Sequence, residues 1–250
     1  GGHLIWTSAT GITTADPQSY GGCPRKWYYE QVEDRKGPPT AAMLGGTGLH
    51  TEIENHLRTG ASLQTPLALA GRAFVPHPGS GLLIEKPISF KTAGGIGIFG
   101  HVDLYNLRQQ YIDVDGNVQQ DPPWSFEVKD WKTTSDFSYA KTERELAENI
   151  QLVTYAEAGF RLFTDQEHAR LTHVYFRTRG VPQSKLVTIL RDRTQIAGRW
   201  EYAESVVRLM VDVAKELTAD TVPSNTKACA AYSGCPHRSH CTAYQSTSLD

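Results

Sequence analysis

The chain has 250 residues, of which 39% are hydrophobic and 21% are charged, and its formal net charge is −2. A chain of this length and apolar content can bury one sizeable core, so we expect a single domain over residues 1–250. The near-neutral charge excludes a uniformly basic surface, so any contact with nucleic-acid phosphates must come from a local basic groove.

Membrane and secretory signals are absent from the sequence. No run of 18 or more apolar residues occurs, which predicts that no segment spans a membrane. The first residues show no charged segment followed by an apolar signal core, and we therefore expect a cytoplasmic protein. In that compartment four cysteines favour a metal or cluster site over two disulfides.

Two helices are predicted in the first sixty residues. Residues 23–29 combine a cysteine, a proline, two bases and three aromatic side chains, which is typical of a packed helix. Residues 41–58 place Leu49, Ile53 and Leu57 at intervals of four, which predicts an amphipathic helix. His50 projects from a neighbouring face of it, where a structural role and a ligand role are both open. Residues 59–80 are predicted to form a loop or flap.

Two strands are predicted next, over residues 82–91 and 96–107, with a hairpin turn at 93–95. Asp103 stands in the second strand among core-like residues, and Glu85 raises the same question more weakly in the first. A buried carboxylate is costly unless a cation or hydrogen-bond donors accompany it. A turn over 108–123 and a third strand over 125–134 would then bring Asp103 and Asp130 side by side.

The strand at 125–134 carries an Asp-x-Lys pattern. Because side chains alternate across a strand, Asp130 and Lys132 share one face, while Glu127, Lys129 and Trp131 share the other. A carboxylate can hold a divalent metal, and an adjacent amine can orient water and neutralise charge on a phosphate. A surface ion pair is the alternative for an isolated Asp-x-Lys, and Glu127-x-Lys129 is a rival register of the motif.

The second half of the chain is predicted to hold a helix over 142–163, strands over 171–178 and 185–190, and a long helix over 195–217. The polar segment 229–241 is predicted to need a metal or cluster to hold it. The long helix has an apolar stripe that we assign to core packing, formed by Ile196, Trp200, Ala203, Val207, Met210, Ala214 and Leu217.

The order of these motifs resembles the RecB-like branch of the PD-(D/E)XK nuclease superfamily, especially its iron-sulfur members, the CRISPR-associated RecB-like and AddB-type nucleases. Six segments support the resemblance: Cys-Pro-Arg-Lys with its aromatics at 23–29, Gly-x-x-x-His at 46–50, Gly-x-x-Asp at 100–103, Asp-x-Lys-Thr at 130–133, Gln-x-x-x-Tyr at 151–155, and three clustered cysteines. The resemblance implies an α/β fold, with a mixed central β-sheet flanked by helices and a cysteine staple joining the N- and C-terminal segments.

The resemblance also implies the site residues. Mg²⁺ or Mn²⁺ would be held by oxygen ligands and one imidazole, namely His50, Asp103, Asp130 and the main-chain carbonyl of Trp131. The two aspartates would be catalytic together with three further residues: Lys132, which would position the attacking water, and Gln151 and Tyr155, which would contact the nucleic acid or support the lysine. We prefer Asp130/Lys132 to the rival register because Thr133 follows, as in the family.

The cysteines are implied to bind a four-iron four-sulfur cluster. Both gaps between the last three cysteines are five residues, a spacing that departs from the family's shorter first gap. Zinc, helped by His237 and His240, is the alternative. The cluster or zinc ligands would be Cys23, Cys229, Cys235 and Cys241.

The expected function is that of a metal-dependent DNA nuclease, an exonuclease acting on single-stranded DNA or DNA ends. One alternative is a non-catalytic DNA-binding module with a nuclease-like fold and a zinc-stapled tail. Another is the nuclease subunit of a larger helicase, recombination or CRISPR complex, whose motor would be a separate chain because no Gly-x-x-x-x-Gly-Lys-Thr motif occurs here. Trp27, Tyr28 and Trp131 could stack on bases, although core packing is their more ordinary use.

Overall fold

The computed structural model describes residues 4–36 and 41–247. Its contacts divide the chain into two compact units. The first comprises Gly1–Pro38, Ser89–Gly100 and Trp200–Asp250, and the second comprises Pro39–Ile88 and His101–Arg199. The expectation of a single domain stays a prediction. Within the described residues, no helix is both long and apolar enough to cross a membrane.

The chain contains both helices and strands, as expected for an α/β protein. In chain order they are β1 (Trp6–Ser8), α1 (Ala9–Ala15), α2 (Pro24–Gln31), α3 (Ala41–Thr59), α4 (Pro66–Ala70), β2 (Leu82–Lys91), β3 (Gly97–Asn106), β4 (Gln110–Ile112), β5 (Val118–Gln120), β6 (Ser125–Thr134), α5 (Glu143–Ala147), α6 (Ile150–Leu162), β7 (His168–Arg177), β8 (Gln183–Asp192), α7 (Arg193–Val213) and α8 (Thr242–Thr247).

The first unit gathers segments from distant parts of the sequence. Its β1 pairs in parallel with the first residues of β3, and α1 packs against both β1 and α2. Arg25 of α2 is buried, and its guanidinium donates hydrogen bonds to the carbonyl oxygens of Asp220 and Val222 and to the hydroxyl of Thr242. Because a buried guanidinium is costly without acceptors, these bonds fix α2 against residues 219–242.

The second unit is built on a mixed sheet. Here β3 pairs antiparallel with β6, β6 runs parallel to β7 over ten residue pairs, and β7 pairs antiparallel with β8. Strand β6 is therefore flanked on both sides, and Ser125 to Trp131 are all buried. The strand predicted over 125–134 is confirmed with the same bounds, and so is the mixed sheet flanked by helices.

Helices cover the sheet of the second unit on two faces. The apolar seam predicted on α3 is buried, and it packs in one core cluster with Trp131 and Phe176. On the other face α6 lies close to β6, where a Cβ added at Gly159 would come within 2.5 Å of the Phe126 ring. This approach requires glycine, because any larger residue would push the helix away from the sheet.

Three predicted elements differ from the structure. The helix expected over 142–163 is two helices, because Asn149 caps a new one by accepting a hydrogen bond from the Leu152 N–H. The loop expected over 59–80 contains α4 and a short 3₁₀ turn, Arg72–Phe74. Assigning Leu217 to the core was wrong: α7 ends at Val213, and Leu217 is 82% exposed.

Candidate active site and cysteine site

Asp103 and Asp130 are buried on adjacent strands of the second unit. The antiparallel pairing of β3 with β6 brings the two residues together, and Asp103 Oδ2 accepts a hydrogen bond of 2.9 Å from the Trp131 N–H. Burial, followed by the nearby charge of Asp130, raises the pKa of Asp103 well above its ordinary value. Two acids held this close are a place where a cation would stabilise the charged forms.

His50 reaches this position from α3. Its Nε2 lies 2.8 Å from the main-chain carbonyl oxygen of Trp131, and its Nδ1 lies 3.4 Å from Asp103 Oδ2. The imidazole is half-buried. Three of the four metal ligands that the sequence predicts, His50, Asp103 and the Trp131 carbonyl, are therefore in mutual contact.

Glu85 is the residue that the sequence pattern underestimated. Within the described residues, His50, Glu85 and Asp103 form a group whose potential ligand atoms all lie within 4.8 Å of one another. Glu85 has a φ of +48°, which is uncommon for a residue with a side chain, and such strained angles cluster at active sites. Burial, followed by the charge of Glu54, raises the pKa of Glu85. The sequence feature that could have identified Glu85 was an acidic residue in a strand whose other residues suit a core.

Asp130 faces Lys132 rather than joining that group. Lys132 Nζ lies 2.6 Å from Asp130 Oδ2 and donates a 2.8 Å hydrogen bond to Gln151 Oε1. Gln151 Nε2 in turn donates to the Tyr155 hydroxyl at 3.2 Å. The one-turn spacing of Gln151 and Tyr155 on α6 thus places both in a chain of contacts that ends on Lys132.

The rival register lies on the other face of β6. Glu127 and Lys129 are 1% and 0% exposed, and their charged atoms lie 3.3 Å apart. Lys129 donates to the Phe74 carbonyl oxygen, and Glu127 accepts hydrogen bonds from the Thr172 hydroxyl and the Asn106 side-chain amide. An enclosed pair with its hydrogen bonds occupied has no room for a substrate, which favours Asp130 and Lys132.

A buried histidine beside Asp130 was missed by the sequence analysis. His173 lies opposite Asp130 in the parallel register of β6 and β7, and its Nε2 is 3.4 Å from Asp130 Oδ2. Its Nδ1 is 2.9 Å from the Tyr175 hydroxyl, which also accepts a hydrogen bond from the backbone N–H of Lys141. Burial lowers the pKa of His173 to about 3. The register of β6 with β7, which places His173 beside Asp130, could not be read from one sequence.

The aromatic residues proposed for base stacking are core residues. Trp27, Tyr28 and Trp131 are each no more than 2% exposed. None of the three can receive a base without unfolding its surroundings, so core packing is the use that the structure supports.

The four cysteines surround one pocket in the first unit. Cys23 precedes α2 and accepts a 3.2 Å hydrogen bond from the Asn225 N–H, while the other three come from the segment 229–241. Burial, followed by the neighbouring thiols, raises the pKa of Cys229. Within the described residues, no three of these sulfurs and nearby imidazole nitrogens lie within 4.8 Å of one another.

The imidazoles near this pocket are engaged elsewhere. The ring of His237 stacks on Tyr29, with centroids 4.9 Å apart, and His237 Nε2 lies 3.5 Å from Glu30 Oε1. His237 Nδ1 and His240 Nε2 lie 3.3 Å apart. The structure thus gathers the predicted cysteines, but it pairs the two histidines with other side chains and with each other.

Solved structures give a match to the fold. A candidate exonuclease from Eubacterium rectale superposes with a TM-score of 0.56 at 11% identity, covering 97% of this chain and 88% of that chain. An alkaline exonuclease from Laribacter hongkongensis, alone and in complex with dAMP, gives a TM-score of 0.42 at 14% and 13% identity, covering 85% of this chain and 91% of that chain. At such identity the first likeness shows the fold alone, and the other two scores are too low to support more.

Sequence comparison gives the family. No curated protein matches the chain at a significant level. The model of the PD-(D/E)XK nuclease superfamily matches residues 112–242, which is 131 of the 250 residues. That match includes Asp130 and Lys132 on β6 as well as Gln151 and Tyr155 on α6. The chain therefore belongs to the PD-(D/E)XK nuclease superfamily.

Proposed function

We propose that the protein is a metal-dependent deoxyribonuclease that hydrolyses phosphodiester bonds. The observation that supports this most is the contact between Lys132, Asp130 and Gln151 on the face of the sheet that also carries Asp103. A binding module has no need of a lysine held between a buried acid and an amide. Family membership supports the same chemistry.

The residues around Asp103 fit a hard divalent cation. His50, Glu85, Asp103 and the Trp131 carbonyl offer one nitrogen and several oxygens, a set that suits Mg²⁺ or Mn²⁺. Ligands at about 2.1 Å on an octahedral ion stand about 3.0 Å apart. His50 Nδ1 and Asp103 Oδ2, at 3.4 Å, have a separation close to that size. When bound, the cation would polarise a phosphoryl oxygen and make a bound water more acidic.

Lys132 would contribute positive charge where the phosphate becomes more negative. Gln151 Oε1 holds the ammonium at 2.8 Å, and Tyr155 holds Gln151, so the amine does not have to be ordered when substrate binds. Asp130, at 2.6 Å from the same ammonium, pairs with the lysine and can supply a further oxygen to the cation.

We propose single-stranded DNA or DNA ends as the substrate and exonucleolytic cleavage as the activity. The E. rectale protein, described as a candidate exonuclease, shares the fold. In addition, the ring of Tyr139 is 66% exposed between β6 and α5, where it can stack on an unpaired base. A helicase, recombination or CRISPR partner would be a separate chain.

The test is to incubate the protein with end-labelled single-stranded and double-stranded DNA and Mn²⁺, beside Lys132→Ala and Asp130→Asn variants. Release of nucleotides by the wild type and its loss in both variants is expected. Lys185→Ala is the control, since it removes an exposed lysine of β8 that was not predicted as a site residue. DNA binding without cleavage in any divalent metal would instead identify a binding module.

We further propose that the four cysteines bind a four-iron four-sulfur cluster. The thiolates of a tetrahedral zinc site stand about 3.8 Å apart, given Zn–S bonds of about 2.3 Å. Each thiolate of a four-iron cluster binds a different iron, so its sulfurs stand further apart. Among the described residues no three of these thiols lie within 4.8 Å of one another, which suits the larger group, and the engaged His237 offers zinc little help.

The cluster is tested by purification without oxygen. Brown protein with a visible sulfur-to-iron absorption band and about four irons per chain is expected. Loss of the band in Cys235→Ser would confirm the thiol ligation. Colourless protein with one equivalent of zinc would contradict the proposal.

A further inference from the structure

The carboxylate of Asp130 faces a buried histidine, His173. The two residues face each other across the parallel pairing of β6 and β7, and both are no more than 2% exposed. His173 Nε2 lies 3.4 Å from Asp130 Oδ2, and in the described part of the chain both atoms are buried without a hydrogen-bond partner. Lys132 Nζ contacts the same oxygen at 2.6 Å. Two groups therefore contact Oδ2, which favours Oδ1 as the oxygen that would meet a ligand.

The contacts of the His173 ring determine which of its two nitrogens carries the hydrogen. The backbone N–H of Lys141 can only donate, so the Tyr175 oxygen accepts from it at 3.1 Å. The Tyr175 hydroxyl can then donate its hydrogen to His173 Nδ1, 2.9 Å away. This leaves the hydrogen of a neutral ring on Nε2, towards Asp130. The opposite tautomer would turn a lone pair towards a buried carboxylate, which electrostatics disfavours.

We infer that His173 is a positioning residue: it donates from Nε2 to Asp130 Oδ2 and, oriented by Tyr175, fixes the carboxylate so that Oδ1 can serve the metal and the reaction. This inference rests on the proposed function, in which Asp130 supplies an oxygen to the cation. Partners that orient a ligand from behind preorganise a metal site, because the ligand loses less freedom when the ion binds.

The experiment measures Mn²⁺ binding to the metal-free full-length protein, by electron paramagnetic resonance of the free ion, with no DNA present. His173→Leu removes the donor at similar volume and is expected to weaken Mn²⁺ binding about 10–100-fold. His173→Gln places an amide donor near the position of Nε2 and is expected to retain affinity within about threefold of wild type, whereas Tyr175→Phe is expected to lie between the two.

The matched control is Thr172→Val. Thr172 is the preceding residue of β7, is equally buried, and points to the other face, where it bonds Glu127. This substitution should lower the melting temperature and leave Mn²⁺ affinity unchanged. Unchanged affinity in His173→Leu would overturn the inference. Equal losses in His173→Leu and His173→Gln would also overturn it, since they would mean that the ring itself is a ligand or a packing element.

A second measurement separates this inference from the proposed function. The tautomer of His173 can be read from long-range ¹H–¹⁵N correlations in the metal-free protein, and a hydrogen on Nε2 is expected. A hydrogen on Nδ1 alone would overturn the inference. If the wild type binds no Mn²⁺, the proposed function fails and the positioning role fails with it, while the Nε2 tautomer would still show the donor facing Asp130.

Discussion

The buried Glu127–Lys129 pair allows the two acid-x-lysine registers of β6 to be separated by experiment. Lys129→Met keeps the shape of the side chain but removes the amine that lies 3.3 Å from Glu127. The carboxylate, 1% exposed, then keeps its hydrogen bonds from Thr172 and Asn106 but loses its only buried cation among the described residues. Breaking a buried pair by removing one partner costs about 3–5 kcal/mol in free energy of unfolding.

That cost predicts a large fall in melting temperature and its recovery in a double variant. At about 2–4 °C per kcal/mol for a chain of this size, the melting temperature of Lys129→Met should fall by about 10 °C. The double variant Glu127→Gln/Lys129→Met leaves no buried charge, and its amide can still accept from Thr172. Most of the loss should therefore be recovered, giving a coupling of about 2–3 kcal/mol between the two positions.

Nuclease activity should depend on Asp130 and Lys132, and not on Glu127 and Lys129. Assayed at 20 °C or below, where every variant is folded, the double variant should cleave single-stranded DNA at close to the wild-type rate. Asp130→Asn should lose about a hundredfold or more in kcat with little loss of melting temperature, because the Lys132 side chain is 32% exposed and water can solvate the ammonium that is left. Folded Glu127→Gln with a loss as large as that of Asp130→Asn would refute the assignment of Asp130 and Lys132.

Three further predictions concern the same unit. Glu85→Gln should weaken Mn²⁺ binding at least about tenfold, as measured by calorimetry, whereas Glu157→Gln, which breaks a helix ion pair with Arg161, should leave it unchanged. Burial, followed by the charge of Asp130, raises the pKa of Asp103, so the folded state binds this proton more tightly than the unfolded state does. Without metal, the stability of the wild type should therefore fall relative to that of Asp103→Asn as the pH rises above about 4. Saturating Mn²⁺ should reduce that fall. Gly159→Ala should cost about 1–3 kcal/mol in urea denaturation, since its Cβ would meet the ring beneath α6 at 2.5 Å; a neutral result would show that the helix can shift freely.

The sheet of the second unit could be predicted where the sequence pattern is local. Strand β6 has alternating faces, and its bounds followed from that alternation. The bounds of β2 were also predicted correctly. Asp103 and Asp130 could be paired because the three strands are consecutive apart from a short hairpin. The break between α5 and α6 was harder to predict, because the polar side chain of Asn149 suits an exposed helix surface as well as a helix cap.

Residues that meet only through tertiary pairing escaped prediction. Glu85 contacts the site because of an unusual backbone angle, which leaves no mark in the spacing of apolar residues. His173 reaches Asp130 through the register of β6 with β7, strands that α5 and α6 separate along the chain. The relation of His237 to Tyr29 and Glu30 likewise joins segments about 200 residues apart, a distance over which one sequence gives no pairing information.

The distance between Cys23 and its partners has a consequence for how the protein is made. Cys229 is translated 206 residues after Cys23, which at about 5–20 residues per second is a delay of roughly 10–40 s. During that interval the Tyr28 hydroxyl lacks its acceptor, the Glu216 carbonyl, and Arg25 lacks residues 220–222. A ribosome that stalls before residue 216 would therefore present α2 with its aromatic face uncovered, and insertion of the proposed cluster into the thiol pocket would be a late event, after translation of residues 229–241.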